Sequence, residues 1–172
     1  MTDINDPGTE RAMSLAFNLL LGIAAFTAME VAAWATHRWI MHGFGWGWHE
    51  SHHRPRTGPF ERNDRFVLIF SGIAVALFAI GKYGTDWAWP LAWGVTAYGI
   101  AYFLMHDVLV HRRIRLPFHP TRGYLGRLVA AHHLHHAVNT KDGAVSFGFL
   151  YAPPLPRLRA QLRALRHPAS QA

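Results

Sequence analysis

SLAFNLLLGIAAFTAMEVAAWA, residues 14–35, carries a single ionisable side chain, Glu30, within about the 20 residues that a helix needs to cross the hydrocarbon core of a bilayer. The run predicts a transmembrane helix. A removable signal peptide is the competing reading, but the run is too long for a signal's apolar region and no small-residue cleavage site follows it. Two further uncharged runs, FVLIFSGIAVALFAIG (66–81) and WAWPLAWGVTAYGIAYFLM (87–105), flank the short polar turn 82–86. They read as a transmembrane hairpin. Pro90 falls in the first turn of the returning helix, where a missing N–H does little harm, and Tyr83, Trp87 and Trp89 suit the membrane interface. Buried helices of a soluble bundle would explain 66–81 but fit the other two runs poorly.

Composition agrees with that solvent. Hydrophobic residues make up 51% of the 172 and charged residues 16%, against about 25% charged in soluble domains. The length predicts one domain, residues 1–172. With no cysteine, disulfides, thiolate metal sites and cysteine nucleophiles are excluded, so a metal must be held by nitrogen or oxygen. The formal charge of +7 would suggest nucleic acid if the basic residues formed one stripe. They do not. Of 17 Lys and Arg, five lie between residues 36 and 65 and ten follow His111, which gathers them on one side of a three-span arrangement. The positive-inside rule makes that side cytoplasmic, and the charge then reads as topology in the inner (cytoplasmic) membrane and affinity for anionic lipid. The expected fold is an all-α integral membrane protein of three to four transmembrane helices, a fourth arising if 91–112 or 146–155 re-enters the bilayer. Residues 155–172 place Leu155, Leu158, Leu162 and Leu165 against Arg157, Arg159, Arg163 and Arg166, which predicts a basic amphipathic helix on the membrane surface.

Thirteen histidines are present, twelve of them between residues 37 and 136. They form four clusters: HRWIMH (37–42), HESHH (49–53), HDVLVH (106–111) and HHLHH (132–136). On an α-helix, His49, His52 and His53 share one face, as do His132, His135 and His136, so each HxxHH cluster is expected to chelate as a triplet aimed at one place. The HxxxxH spacing leaves its two rings about 140° apart on an α-helix with a rise of about 7.5 Å. Such a pair would serve two neighbouring ions, or the helix would end between its members, and Gly43 is compatible with an ending there. Ten imidazoles, those of His37, His42, His49, His52, His53, His106, His111, His132, His135 and His136, are too many for one ion and suit two. Ligand type allows iron, zinc, copper or nickel. His119, His133 and His167 are expected to be bystanders, His133 because it points off the triplet face. Ligating histidines need partners on the other ring nitrogen, for which Glu30, Glu50, Asp107 and Asp142 are the nearby carboxylates. Arg38 is the alternative partner of Glu30.

These four clusters in this order, followed by VSFGFLYAPP (145–154), resemble the bacterial-type β-carotene 3-hydroxylases of the membrane fatty-acid hydroxylase superfamily. The resemblance covers residues 30–155; His133 departs from it, standing where that family commonly has arginine. It implies a non-haem di-iron monooxygenase that uses O2 and electrons from a separate ferredoxin or reductase to hydroxylate carbons 3 and 3′ of β-ionone rings, taking β-carotene through β-cryptoxanthin to zeaxanthin. The residues are compatible with this. No Gly-rich nucleotide fingerprint follows a strand, so electrons must come from a partner; Arg112, Arg113 and Arg115 would form a dock for an acidic donor, or a surface for anionic lipid. A polyene needs an apolar tunnel, and Phe44, Trp46, Trp48, Phe147, Phe149 and Tyr151 are the aromatic residues nearest the histidines, with interfacial packing as their alternative role. A fatty-acid or sterol hydroxylase, desaturase or ketolase of the same superfamily is the nearest alternative function. A histidine-rich metal transporter is more remote, because its ligands would lie along the helices near the midplane.

Overall fold

The computed structural model describes residues 7–166, and every regular element among them is helical. In order they are α1 (Pro7–Ala35), a π-helical stretch (Thr36–Phe44), the single turn α2 (Trp46–His49), a 3₁₀ turn (Glu50–His53), α3 (Asp64–Tyr83), α4 (Ala88–Tyr102), a second π-helical stretch (Phe103–Val110), α5 (Gly123–His135) and α6 (Leu155–Arg166). His167 and the end of the expected amphipathic tail, 167–172, lie outside the described residues.

Among the described residues, two helices are long and apolar enough to cross a membrane: Met13–Phe44, which includes the first π stretch, and Asp64–Tyr83. Their most apolar windows are 0% and 11% buried. A soluble core helix would be mostly buried, which these two windows are not. The third expected span, 87–105, is divided. Its α-helical part, α4, has 15 residues, and the chain then continues as the π stretch to Val110.

The chain forms two compact units. One comprises the described residues through Met29 together with Ile69–Gly99; the other comprises Glu30–Leu68 and the described residues from Ile100 onward. In the first unit α1 meets α4 at glycines. A β-carbon on Gly94 would run into the Gly22 carbonyl and lie 2.7 Å from the Ala25 β-carbon, so the small residue allows the helices their close approach. Phe26 meets Tyr98 edge to face at 5.7 Å, and Phe78 of α3 packs against Trp89 and Trp93 of α4 at 5.7 and 5.1 Å. The turn between α3 and α4 closes through Gly84 and Thr85 N–H groups donating to the Ile80 carbonyl.

The core of the second unit joins Met105 and Val110 to Leu128, Val129 and Ala131 of α5 and Leu158 and Leu162 of α6. This corrects the expectation for the tail. The leucine face of α6 is taken up by the protein, with Leu158 and Leu162 buried, and only Leu165 of that row stays exposed. Arg157, Arg159, Arg163 and Arg166 lie on the exposed side, and Arg166 donates to the Ala137 carbonyl at 2.6 Å.

Candidate metal centre

All ten expected histidines lie in the second unit and converge there. They form two adjoining groups, each with ring nitrogens within 4.8 Å of one another: His37, His42, His49 and His135, and His52, His111, His132 and His136. His53 stands with His135 and His136 in a third overlapping set. His106 joins the second group through Nε2, 2.9 Å from His52 Nε2.

Membership of the groups departs from the α-helical reading of the triplets and from the expectation that an HxxxxH pair serves two ions. Each HxxHH triplet is split, His49 going to the first group and His52 to the second, His135 to the first and His132 with His136 to the second. Each HxxxxH pair stays together, with His37 and His42 in the first group and the rings of His106 and His111 4.6 Å apart. The reason is local. Both pairs sit on π-helical backbone, where the bond runs from residue i+5 to residue i instead of from i+4: the His111 N–H donates to the His106 carbonyl at 2.9 Å, and the Gly45 N–H to the Ile40 carbonyl at 2.8 Å. Five-residue spacing therefore brings together the rings that an α-helix would splay, with centroids 5.4 Å apart for His37 and His42 and 4.6 Å for His106 and His111. The first stretch also ends where expected, in non-helical backbone at His42 and Gly43. Gly45 is required by the return of the chain, since a β-carbon there would lie 2.9 Å from the Ile40 oxygen.

The ring nitrogens divide into outer and inner sets. Outward, Nδ1 of His37, His42, His53 and His135 donates to the carbonyls of Phe147 (2.9 Å), Lys141 (2.7 Å), Val138 (2.8 Å) and Val145 (3.1 Å). Nδ1 of His49 donates to Asn63 Oδ1 (2.7 Å), that of His52 to Glu61 (2.8 Å) and that of His106 to Asp107 (2.8 Å). These acceptors fix the proton on Nδ1 and leave a lone pair on Nε2. Inward, Nε2 faces Nε2 between His37 and His49, His42 and His135, and His49 and His53 at 3.2 Å. Two lone pairs at that distance repel unless a cation lies between them. Nitrogens sharing an ion at about 2.1 Å stand about 3.0–3.4 Å apart for octahedral to tetrahedral angles, so the donor set fits two imidazole-bound ions. His111 and His132 at 3.2 Å, and His132 and His136 at 2.9 Å, extend the pattern to the second group.

Burial keeps these rings neutral, as ligands must be. Desolvation, reinforced by the neighbouring imidazoles, lowers His49 and His111 to about 3 and His53 to about 4, from an ordinary 6.5. His52, His132, His135 and His136 are pushed down by the same cause. Beside them, burial raises Glu61 and Asp107, opposed by the Arg113 guanidinium.

Of the four expected outer carboxylates, Asp107 bonds a histidine, accepting from His106 Nδ1. Glu50 is turned to the surface and pairs with Arg54 at 3.0 Å. Glu30 accepts the backbone N–H groups of Phe149, Leu150 and Tyr151, each at 3.0 Å; it ties down the loop whose Phe147 carbonyl holds His37. At Asp142 the histidine contact is made by the preceding residue, through the Lys141 carbonyl. Glu61, Asn63 and the four carbonyls were missed. The ERND cluster at 61–64, polar residues directly before an apolar span, was the available signal for the first two; carbonyls leave none.

The aromatic candidates separate likewise. Phe147 packs against His37, His42 and His135 at 5.2–5.4 Å, and Phe149 stacks on His37 at 5.1 Å and reaches His106 at 5.4 Å. Trp46 lies 5.2 Å from His42 and 5.3 Å from His53. Trp48 packs on Phe66 instead, and Phe44 and Tyr151 are exposed. His119 and His133 are exposed and belong to neither group. Arg113 is withdrawn from the expected donor dock, with its side chain 14% exposed and bonded to Asp64 at 2.7 Å. Alongside Phe147 a cleft of about 560 Å³ is lined by Trp34, Arg38, Val145, Tyr151, Pro153 and Leu165, among others.

Residues 22–153 match the fatty acid hydroxylase family. A β-carotene hydroxylase of Pantoea ananas is 51% identical over 156 residues, covering 89% of this chain and 87% of the relative. One from Pseudescherichia vulneris is 56% identical over 151 residues, 85% and 83% of the two chains. The chloroplastic β-carotene 3-hydroxylase 1 of Arabidopsis thaliana is 38% identical over 137 residues, 77% of this chain and 44% of the relative. No solved structure matches the chain. By the extent of the family match and the identity to relatives of its own length, the chain belongs to the fatty acid hydroxylase family.

Proposed function

We propose that this protein is a membrane di-iron monooxygenase that hydroxylates carbons 3 and 3′ of the β-ionone rings of carotenoids, taking β-carotene through β-cryptoxanthin to zeaxanthin, as one domain over residues 1–172. The carrying observation is the convergence of ten imidazoles, seven of them held with the proton on the outer nitrogen and a lone pair turned inward, and the relatives named β-carotene hydroxylase support the substrate. Each hydroxylation consumes O2, two electrons and two protons, places one oxygen atom in a C–H bond and releases the other as water. Iron, when bound by these histidines, would supply the activation of O2; zinc could occupy the same ligands in overexpressed protein, because affinity alone does not select iron, but without redox chemistry it would not support turnover.

The chain supplies the rest. Backbone carbonyls, Asn63, Glu61 and Asp107 hold seven rings in one tautomer and one orientation, while Phe147 and Phe149 cover them with apolar surface. The cleft beside Phe147 suits a ligand without polar handles. Exposed Arg112 and Arg115 remain available to an acidic ferredoxin or reductase. Three spans with the basic segments on the cytoplasmic side would set the ligating histidines at the inner face of the cytoplasmic membrane.

Expression in a β-carotene-producing host with pigment analysis tests the reading. Zeaxanthin and transient β-cryptoxanthin are expected. Absence of hydroxylated pigment from metal-replete protein supplied with a donor would overturn it, and keto-carotenoids or a hydroxylated or desaturated fatty acid or sterol would assign another reaction of the superfamily.

A further inference from the structure

The two histidine groups differ in what stands behind them. Behind the first, His37, His42, His49 and His135 donate only to neutral oxygens: three backbone carbonyls and the Asn63 amide. Behind the second, His52 donates to the Glu61 carboxylate and His106 to that of Asp107. A carboxylate acceptor makes an imidazole a stronger donor to a cation than a carbonyl does, and it adds direct attraction for a dication. One guanidinium gathers these carboxylates. Arg113 lies 2.7 and 3.1 Å from the two Asp64 oxygens, 3.4 Å from Glu61 and 3.6 Å from Asp107. Three carboxylates against Arg113 and the more remote Arg56 leave this side negative, whereas beside the first group Arg38, stacked over Phe147, is offset by Asp142.

We infer that the two metal positions are unequal: the Glu61–Asp107–Arg113 cluster makes the position of His52, His106, His111, His132 and His136 the tighter one, with Arg113 as the residue that positions both carboxylates. Arg113 holds Glu61 and Asp107 in register with two different histidines, and without it their mutual repulsion would turn them away from the rings. The inference rests on reading the histidines as a two-ion site and is independent of which lipid is the substrate.

Full-length protein in detergent, loaded anaerobically with iron(II) and mixed with excess ferrous chelator, gives the test. Wild type should release one equivalent quickly and the second slowly. Glu61→Gln, which keeps an acceptor but removes the charge, should speed the slow phase roughly 10- to 100-fold and leave the fast phase unchanged. Arg113→Gln should act on the same phase and Arg113→Lys should restore it in part, a selectivity that general loosening of the fold would not produce. Asn63→Asp places a carboxylate behind His49 of the first group and should slow the fast phase; this gain keeps the inference testable if the other variants do not fold. Two equivalents leaving at one rate, Glu61→Gln accelerating both, or Asn63→Asp slowing neither would overturn it. A saturating stoichiometry of one ion would overturn the two-ion reading and this inference with it, whereas failure to hydroxylate carotenoids would leave it standing.

Discussion

The HxxxxH pairs and the HxxHH triplets obey opposite rules here, although both are short histidine motifs on helical backbone. The pairs, which an α-helix would splay, hold together because the backbone widens to π turns at Thr36–Phe44 and Phe103–Val110. The triplets, which an α-helix would align, divide because two converging clusters face one another and adjacent rings on one turn are claimed from opposite sides. Spacing picks out the residues that converge; the partner elements decide which group each ring joins.

The sharpest way to break this comparison is metal stoichiometry. His52→Ala and His135→Ala should each abolish turnover and each leave about one ion, since they belong to different groups, with membrane insertion unchanged because it depends on the apolar spans. Combining His135→Ala with His37→Ala should still leave one ion, whereas combining it with His132→Ala, from the same HxxHH motif, should leave none. Equal losses in the two double variants would restore the triplet as the chelating unit. His119→Ala should keep full activity.

Next in size is Glu30→Ala, which strips three backbone N–H groups of a carboxylate acceptor. At about 1.5–3 kcal/mol for a charge-assisted bond, with partial compensation by water, roughly 2–4 kcal/mol of stability should go, read from denaturant midpoints in detergent. A neutral outcome would mean that the loop carrying the Phe147 carbonyl is held by other contacts.

Acid provides a graded test. His49, His53 and His111 titrate lower in the folded protein than in the unfolded chain, so unfolded molecules take up protons first as the pH falls. Metal-free protein should keep its full stability above about pH 6.5 and lose it progressively toward pH 3–4, measured by circular dichroism, and metal should move the loss to lower pH. An unchanged signal down to pH 3 would contradict the burial of neutral rings. The smallest effect belongs to Glu50→Ala. Its pair with Arg54 is at the surface, worth about 0–1 kcal/mol, so activity and metal content should stay at wild-type levels, while a tenfold loss would return Glu50 to the metal centre.

The sequence therefore disclosed the participants better than their arrangement. Apolar runs and histidine spacing located two long apolar helices, all ten converging imidazoles and Asp107, because each of these is a side-chain property. The π turns escaped, since the spacing was read on α-helical geometry and residues 38–41 and 107–110 carry no glycine or proline to mark a change of backbone. The tail helix was read as membrane-seeking because its leucine face has no visible partner in sequence; that partner, α5, is separated from it by residues 136–154 and folds against it. Glu50 was chosen for adjacency to His49, while Glu61, a loop away, makes the contact.

Four of the seven outer nitrogens are held by main-chain oxygens between Val138 and Phe147, and every amino acid carries such an oxygen. Point changes at Val138, Lys141 or Val145 leave the acceptor in place, so the letters of this segment are free to drift. Its length is not: inserting or removing one residue between 138 and 147 would shift several acceptors past their rings at once. Among descendants of this chain, gaps should be rarer here than substitutions, an inheritance pattern set by chain path instead of residue identity.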